Sequence, residues 1–305
     1  MRELNANKNC GPDDHYPRIL KHCRNSLASP LCTLFNTSFK CNEIPDDCKI
    51  ANVIPLYKKG AKDKVENYRP VSLTSIASKI CEKIVRKSIV NFWTDHQVFI
   101  GEQFGFMKKS CCPSQLLDTF HSWAKARNDS HKVDVILLDF TKAFDSVPHQ
   151  RLLANLKGYG IGGNLLNWLT YFIVGRKQRV SFSGHFSPWT MVTSSVPQGS
   201  VLGSVLFLAY INDITAGVRS SMRLFADDSK IYRIIYDEND EKQLQCDLNT
   251  LQKWSENWQL RFHPDKCEVL RVTHARDHAS YPYKLSGGTL QCVTETVDLG
   301  GLIDF

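Results

Sequence analysis

Two adjacent aspartates, Asp227 and Asp228, lie between two short apolar segments of the chain, 222–224 and 231–235. These β-prone segments predict a pair of strands, with the aspartates at the turn between them. Inside a flat strand the two side chains would point to opposite faces, and one charge would be buried without a partner. At a tight turn both carboxylates can face one cation, as a divalent metal site requires. Because Asp is a common turn residue, a solvated turn is the alternative for the pair alone.

A third carboxylate, Asp139, follows the apolar, β-branched segment 133–138, which predicts a strand covered on both faces. If this strand is a neighbour of the hairpin in one sheet, the three aspartates converge. Three carboxylates around two magnesium ions suit nucleotidyl transfer, in which one ion activates a 3′-hydroxyl and the other stabilises the leaving pyrophosphate. The alternative for Asp139 is an N-cap for residues 140–144.

Helical and strand patterns around these aspartates predict an α+β architecture. Residues 1–45 are predicted to be irregular, and the tail after the last predicted helix, through Phe305, to be rich in strands. Helices are predicted at 75–92, 149–157, 164–174, after Ser200, and at 241–256, and strands at 53–57, 178–182 and 190–192.

The composition excludes a disordered or fibrous protein, since 42% of the 305 residues are hydrophobic and 23% are charged. The longest apolar segment, 201–211, is too short to span a bilayer, and the N-terminus lacks a signal peptide. The 11 cysteines include no Cys-x-x-Cys pair, which disfavours zinc and favours reduced thiols without a disulfide-linked partner. These features predict an intracellular protein of the nucleus or cytoplasm that contacts no membrane.

Basic residues are concentrated between Lys58 and Lys87. This segment holds nine Lys and Arg against three Asp and Glu, a net charge of +6 out of +7 for the whole chain. It predicts a surface for phosphates, and a solvated basic helix is the alternative.

Three blocks resemble, in order and spacing, motifs A, B and C of reverse transcriptases, and in particular those of the non-LTR (LINE, jockey-like) retrotransposons. They are D-F-T-K-A-F-D at 139–145, V-P-Q-G-S-V-L-G at 196–203 and F-A-D-D at 225–228, with further agreement at 53–60, 67–73, 103–106 and 258–267. The resemblance covers residues 30–305. It implies an RNA-directed DNA polymerase domain with a right-hand palm, made of an antiparallel sheet with packed helices, and a fingers subdomain.

The resemblance also implies a metal site. Asp139, Asp227 and Asp228 would bind two Mg²⁺ ions, for which Mn²⁺ is an alternative, and the backbone carbonyl of Phe140 would add an oxygen ligand. Lys266 resembles the motif D lysine that protonates the leaving pyrophosphate, and a solvated surface lysine is its alternative.

Other matching positions are implied to bind the incoming nucleotide. Arg69 corresponds to the arginine over the triphosphate, and either Lys58 or Lys59 to its basic partner. Phe144 corresponds to the aromatic steric gate that excludes a ribose 2′-hydroxyl, with a core Phe as the alternative. Gln198 and Gly199 correspond to the strip that touches nucleotide and template, with a simple helix start as the alternative.

The implied partners are an RNA template, a DNA primer and dNTPs. The expected division is a leader or remnant at 1–45, a fingers segment at 46–132, a palm with motifs A to D at 133–272, and a primer-grip-like tail at 273–305. The chain is expected to be a retroelement fragment without endonuclease and thumb. A catalytically incompetent remnant that only binds nucleic acid, and a maturase of a group II intron, are the alternatives.

Two positions depart from the resemblance within motif B. Ser195 stands where a Gly is usual and Ser204 where a Pro is usual, and both are expected to weaken the local turn.

Overall fold

The computed structural model describes residues 1–107, 110–273 and 281–304. The chain forms two compact units and passes through each of them twice. Unit 1 is 1–98 with 147–210, and unit 2 is 99–146 with 211–305. The predicted boundaries at residues 46, 133 and 273 stay predictions, and residues 108, 109, 274–280 and 305 of those segments lie outside the described residues.

Eight helices and fourteen strands are assigned within the described residues. The helices are α1 Pro17–His22, α2 Arg24–Cys41, α3 Ile76–Asp95, α4 Cys112–Asn128, α5 His149–Gly158, α6 Gly163–Ile173, α7 Val201–Ile211 and α8 Glu238–Trp258. The strands are β1 Ile50–Tyr57, β2 Tyr68–Leu73, β3 Lys132–Leu138, β4 Lys177–Phe182, β5 His185–Phe186, β6 Thr190–Met191, β7 Ser221–Phe225, β8 Asp228–Ile235, β9 Glu268–Val272, β10 Lys284–Leu285, β11 Gly288–Thr289, β12 Gln291–Val293, β13 Glu295–Asp298 and β14 Gly301–Asp304.

The predicted α+β class and its main elements are confirmed. The helix predicted at 75–92 is α3, and the one predicted at 241–256 is α8. The strand pair predicted around 178–182 and 190–192 is β4 with β6. No helix in the described part of the chain is long and apolar enough to cross a membrane.

The irregular structure predicted for residues 1–45 is wrong, because an 18-residue helix, α2, occupies much of that segment. Its less exposed side chains, among them Leu27, Leu31, Phe35 and Ser38, recur at helical spacing. The hydroxyl of Ser38 accepts a hydrogen bond of 2.9 Å from the indole N–H of Trp168 in α6, so α2 packs within unit 1.

Unit 1 contains a sheet of strand order β2-β1-β4-β5, with β6 also paired to β4. Strands β1 and β2 are antiparallel, and β1 and β4 are parallel. Since side chains alternate between the two faces, Ala51 and Val53 of β1 are buried on one face, while Leu56 lies on the other and is 51% exposed. At β1, one face therefore covers the core and the other is more open.

Unit 2 is built on a sheet of order β12-β9-β3-β8-β7, with β3 at its centre. β3 pairs antiparallel with both β8 and β9. Trp123 of α4 packs with Val133, Val135 and Tyr232 in a core cluster against one face. The apolar run of β3 is thus buried on both faces, as predicted, and the neighbour relation between β3 and the aspartate hairpin is confirmed.

A buried charge network lies in this sheet. The carboxylate of Asp134 on β3 is fully buried and accepts hydrogen bonds from Arg271 Nε at 2.7 Å, Arg271 Nη2 at 3.0 Å and Tyr283 Oη at 2.8 Å. Burial and the Asp134 charge raise the pKa of Tyr283, so its hydroxyl remains a donor. The network ties the segment before β10 to the central strand.

Candidate active site

The aspartate hairpin turns through only two residues, Ala226 and Asp227, because Phe225 and Asp228 are the last paired residues of β7 and β8. Ala226 has a left-handed φ of 56°, as the primed turns that suit the twist of hairpins require at their first central residue. Asp227 is half-buried and Asp228 is exposed. The turn predicted from the sequence is confirmed.

A segment before α4 clamps this turn. The side-chain oxygen of the buried Gln103 accepts hydrogen bonds from the backbone N–H of Ala226 at 3.0 Å and of Gly105 at 2.7 Å. A Cβ on Gly105 would lie 2.3 Å from the nitrogen of Ala226, so only glycine fits. The Gln-Phe-Gly-Phe block was recognised in the sequence without a role, and the structure gives it one, which is to hold the aspartate turn.

Asp139 lies at the same end of the sheet as this turn. Leu138 pairs with Ser229, so Asp139 continues the antiparallel register toward Asp228. Its carboxylate is half-exposed, and the ammonium of Lys266 is 3.7 Å from Oδ1. The structure thus brings together Asp139 and Lys266, and it places the third carboxylate at the strand end where the sequence predicted it.

The backbone at Phe140 exposes a further oxygen on the same side. Thr141 N donates to Arg261 O and His263 N donates to Asp139 O, both at 2.8 Å, so Phe140 lies opposite Phe262 in a pair that exchanges no hydrogen bonds. In such a pair the carbonyl of Phe140 points to the other side of the strand, where β8 lies. The Phe140 and Phe262 rings stack with centroids 4.7 Å apart, which holds this geometry.

The donor set at this strand end fits a hard divalent cation. Within 1–107, 110–273 and 281–304, no group of three or more Asp, Glu, His or Cys side chains is placed to hold a metal ion. The three carboxylates and the Phe140 carbonyl are nonetheless all oxygen donors, which Mg²⁺ prefers. Burial raises the pKa of the nearby Cys267 to about 11. The metal assignment itself stays a prediction.

Phe144 lies in a single 3₁₀ turn, Ala143–Ser146, at the end of motif A. The left-handed Lys142, with φ of 48°, starts the turn, and its carbonyl accepts from Asp145 N at 2.9 Å and Ser146 N at 3.0 Å. Phe144 is 9% exposed, at the edge of the core. Burial of this degree agrees with a core Phe as well as with a gate, so the gate role stays a prediction.

The predicted nucleotide strip lies in unit 1 and docks on β2. The carbonyl of Gln198 accepts a hydrogen bond of 2.7 Å from Ser72 N. Gly199 has φ of 111°, and a Cβ there would lie 2.5 Å from the Ser72 carbonyl oxygen, so only glycine fits. Arg69 is exposed on the same strand, three residues before Ser72. The structure therefore places Arg69 on the strand that the strip contacts.

The basic turn after β1 is also part of this hairpin. Lys58 N donates to Asn67 O at 2.9 Å, which closes the β1–β2 connection. The side chains of Lys58 and Lys59 are both exposed, as a phosphate-binding role requires. Which of the two acts stays open.

Glu82 is a site residue that sequence reasoning missed. It was counted only as one acidic residue within the basic segment, yet it is 1% exposed. Its Oε2 accepts hydrogen bonds from the first two N–H groups of α7, Val201 at 2.7 Å and Leu202 at 3.1 Å. A carboxylate from α3 thereby caps the helix that follows Gln198 and Gly199. No sequence signal joins two positions that are more than 100 residues apart.

The ion pair between Lys230 and Asp298 was missed for the same reason. Both side chains are buried, at 2% and 6% exposure, and they connect β8 to β13. Lys230 lies two residues after Asp228 and so shares its face of the strand. The pair anchors the β13–β14 hairpin beneath the strand that begins with Asp228.

The two departures in motif B have different outcomes. Ser195 has a φ of 124°, which side chains rarely adopt and glycine adopts readily, so the backbone is strained at this position. Ser204 lies inside α7 rather than in a turn, so the expectation of a weakened turn there is wrong.

Comparisons with known proteins agree with one another. The sequence profile described as reverse transcriptase (RNA-dependent DNA polymerase) matches residues 57–290, a segment that includes every predicted site residue. The chain is 25% identical over 327 aligned residues to the probable RNA-directed DNA polymerase from transposon BS of Drosophila melanogaster, covering 100% of this chain and 35% of that protein.

A second relative is the RNA-directed DNA polymerase from mobile element jockey of Drosophila melanogaster. The two are 28% identical over 264 residues, which cover 83% of this chain and 28% of the relative. The chain therefore spans about a third of the length of the curated relatives it matches.

Proposed function

We propose that this chain catalyses RNA-directed DNA synthesis, because it belongs to the reverse transcriptase (RNA-dependent DNA polymerase) family together with the polymerases of non-LTR retrotransposons. The observation that carries the proposal is the register of β3 and β8, by which Asp139, just after β3, and the Asp227–Asp228 turn, where β8 begins, lie at one end of a sheet. The substrates are dNTPs, a DNA primer and an RNA template. In this proposal the unit 2 sheet is the palm sheet, and the unit 1 sheet with Arg69 belongs to the fingers.

Asp139, Asp227, Asp228 and the Phe140 carbonyl would hold two Mg²⁺ ions, with Mn²⁺ as an alternative. Bound there, the ions supply positive charge that lowers the pKa of the primer 3′-hydroxyl and neutralises the leaving pyrophosphate. The carboxylates keep the set negative enough to attract divalent cations. The clamp by Gln103 and the stacked Phe140 fix the backbone from which these oxygens project.

The other predicted site residues act on the nucleotide. Arg69, with Lys58 or Lys59, binds the triphosphate, since a guanidinium fork matches phosphate oxygens. Gln198 and Gly199 position the base and the template backbone. The Phe144 ring lies under the sugar and excludes a 2′-hydroxyl. Lys266, whose ammonium already lies beside Asp139, donates a proton to the leaving pyrophosphate.

Primer extension on an RNA template tests the reaction. The wild-type chain is expected to incorporate dNTPs when Mg²⁺ is present and to stop when EDTA is added. Asp227→Asn keeps the size of the side chain but removes its charge, so incorporation is expected to fall to the level without enzyme. The control is Asp129→Asn, an exposed carboxylate of the same unit outside the site, which is expected to leave incorporation unchanged.

Mn²⁺ titration followed by electron paramagnetic resonance separates metal binding from turnover. Two Mn²⁺ ions are expected per wild-type chain, and fewer or weaker ones in Asp227→Asn. Full incorporation by Asp227→Asn would overturn the metal assignment. Metal and RNA binding without any incorporation by the wild type would instead favour the nucleic-acid-binding remnant.

The gate prediction has its own test. Phe144→Ala removes the ring that excludes the 2′-hydroxyl, so the ratio of rNTP to dNTP incorporation is expected to rise. The measurement is kcat/KM for dCTP and CTP at one template position. A core Phe predicts an unstable variant with an unchanged ratio, and that result would remove Phe144 from the gate role.

A further inference from the structure

An exposed cluster of one arginine and two aromatic rings lies on the β4–β6 segment of unit 1. The guanidinium carbon of Arg179 is 3.9 Å from the centroid of the Phe186 ring and 4.5 Å from that of Trp189. The rings are 53% and 41% exposed, although they are large and apolar. We call Arg179, Phe186 and Trp189 the stacking cluster. None of the predicted polymerase roles uses it.

Hydrogen bonds hold the stacking cluster in place. Arg179 Nε donates to the side-chain oxygen of Asn52 on β1 at 2.9 Å. Ser187 lies between Phe186 and Trp189 in the sequence. Its backbone N–H donates to Val180 O, and its hydroxyl accepts from Val180 N, each at 2.9 Å. The rings are therefore fixed before any ligand arrives, which lowers the ordering cost of binding.

The cluster lies on the face of the unit 1 sheet that also carries Arg69. Arg179 pairs with Asn52, and Leu56 on β1 pairs with Arg69. Paired residues share a face, and so do residues two apart on one strand, so Arg179, Asn52, Leu56 and Arg69 all lie on the same face. This face therefore joins the stacking cluster to the arginine that is proposed to bind triphosphate.

The charge of this region identifies the kind of ligand. Strands β1, β2, β4, β5 and β6 contain no Asp or Glu, and the segment 147–210 has five Lys and Arg without one acidic residue. Exposed aromatic rings within such a basic region suit single-stranded nucleic acid, because unpaired bases stack on rings while phosphates meet basic groups. A base-paired duplex cannot present its base faces to the rings.

We propose that Arg179, Phe186 and Trp189 form a stacking site for single-stranded RNA. Bases stack on the outer faces of Phe186 and Trp189, and Arg179 supplies positive charge through the rings it contacts. Binding at this site requires no metal, no dNTP and no incorporation. The proposal thus goes beyond polymerisation and can fail or hold independently of it.

The test is the affinity of a fluorescently labelled, unstructured single-stranded RNA, measured by anisotropy in EDTA. Phe186→Ala and Trp189→Ala are each expected to weaken binding by about 5- to 100-fold, the range for the loss of one base–ring stack. Trp189→Phe keeps a ring and is expected to retain most of the affinity. Thermal melts verify that each variant is folded.

Phe182→Ala is the matched control. Phe182 is 58% exposed on the same strand as Arg179, but it lies on the opposite face. It is expected to change RNA affinity less than twofold. Equal losses in Phe182→Ala and Trp189→Ala, or no loss in either ring variant, would overturn the proposal.

Protein contact is the other use of such a surface. If the wild type forms a dimer in sedimentation, and Phe186→Ala and Trp189→Ala break the dimer without changing RNA affinity, the cluster is a protein interface and the proposal is wrong. Asp227→Asn is expected to bind the RNA as tightly as the wild type. RNA binding without any incorporation by the wild type would therefore count against the polymerase assignment alone.

Discussion

At the scale of single residues, Ser195 is the clearest strained position. Its φ of 124° is costly for any side chain, yet its N–H donates to Val147 O at 2.9 Å and its carbonyl lies 3.1 Å from Nε2 of His149. These contacts hold the strained conformation in place just before the nucleotide strip. Ser195→Gly is expected to raise the free energy of unfolding by about 1 kcal/mol or more, because glycine adopts this φ without strain. Denaturant unfolding measures it.

The control for Ser195 is Thr193→Gly. Thr193 is exposed, close in sequence and has no positive φ, so added backbone freedom is expected to destabilise the fold by about 0.5–1 kcal/mol. If Ser195→Gly and Thr193→Gly both stabilised the fold, or if neither did, the inference that Ser195 is strained would be wrong.

Tyr283 offers a second residue-scale prediction. Its hydroxyl donates to the fully buried Asp134 carboxylate, whose other partner is Arg271. Tyr283→Phe leaves the ring packed but removes a donor from a buried charge, so the free energy of unfolding is expected to fall by about 1–3 kcal/mol. Tyr281→Phe changes the same atom on the neighbouring, less buried ring and is expected to have little effect. Equal effects of the two changes would show that Asp134 does not depend on this donor.

At the scale of elements, α7 is held from outside its own sequence. The two hydrogen bonds from its first turn to Glu82 add to the N-cap bond from Gly203 N to Ser200 Oγ, and they place a negative charge at the positive end of the helix. Glu82→Gln keeps the shape of the side chain but removes its charge. Its amide NH₂ group, a donor, can then face the backbone N–H groups of α7, which are donors too. The free energy of unfolding is expected to fall by about 1.5–3 kcal/mol, the range for hydrogen bonds to charged groups.

Lys83→Ala is the control for Glu82, because Lys83 is adjacent on α3 and forms an exposed ion pair with Glu3. Its loss is expected to cost less than about 1 kcal/mol. Chemical denaturation of both variants gives the comparison, and an equally small effect of Glu82→Gln would remove Glu82 as the cap of α7.

The elements also show where sequence patterns suffice and where they fail. β3, β8 and α8 were predictable, because their apolar residues follow strand and helix periods without interruption. Helix α4 was not predicted, since its buried face includes the polar Gln115 and Thr119 beside Trp123 and Ala126, which hides the hydrophobic period. The metal-site positions followed from strand ends, whereas Glu82 and Lys230 depend on partners that only the folded chain reveals.

At the scale of the whole molecule, the two units differ in charge. Unit 1 has 21 Lys and Arg against 10 Asp and Glu, a net +11, while unit 2 has 17 against 21, a net −4. Phosphates are attracted to the first and divalent cations to the second. The overall charge of +7 conceals this division, which separates the proposed nucleic-acid contacts from the proposed metal ligands.

Salt dependence of RNA binding tests this division and distinguishes two kinds of contact. Each lysine that binds a phosphate of the RNA releases counterions, so binding weakens as salt rises. Removing such a lysine is expected to make the slope of the log of the RNA-binding constant against the log of the salt concentration shallower by about 0.7. We expect this change in either Lys58→Ala or Lys59→Ala, whichever lysine contacts the RNA. Lys40→Ala, an exposed lysine of unit 1 at the end of α2, is the control and is expected to leave the slope unchanged. Trp189→Ala removes a stack rather than a charge, so it is expected to lower affinity at every salt concentration with the wild-type slope. If Trp189→Ala flattened the slope and neither lysine variant did, the basic turn would not be a phosphate contact, and stacking on the cluster would not explain the affinity.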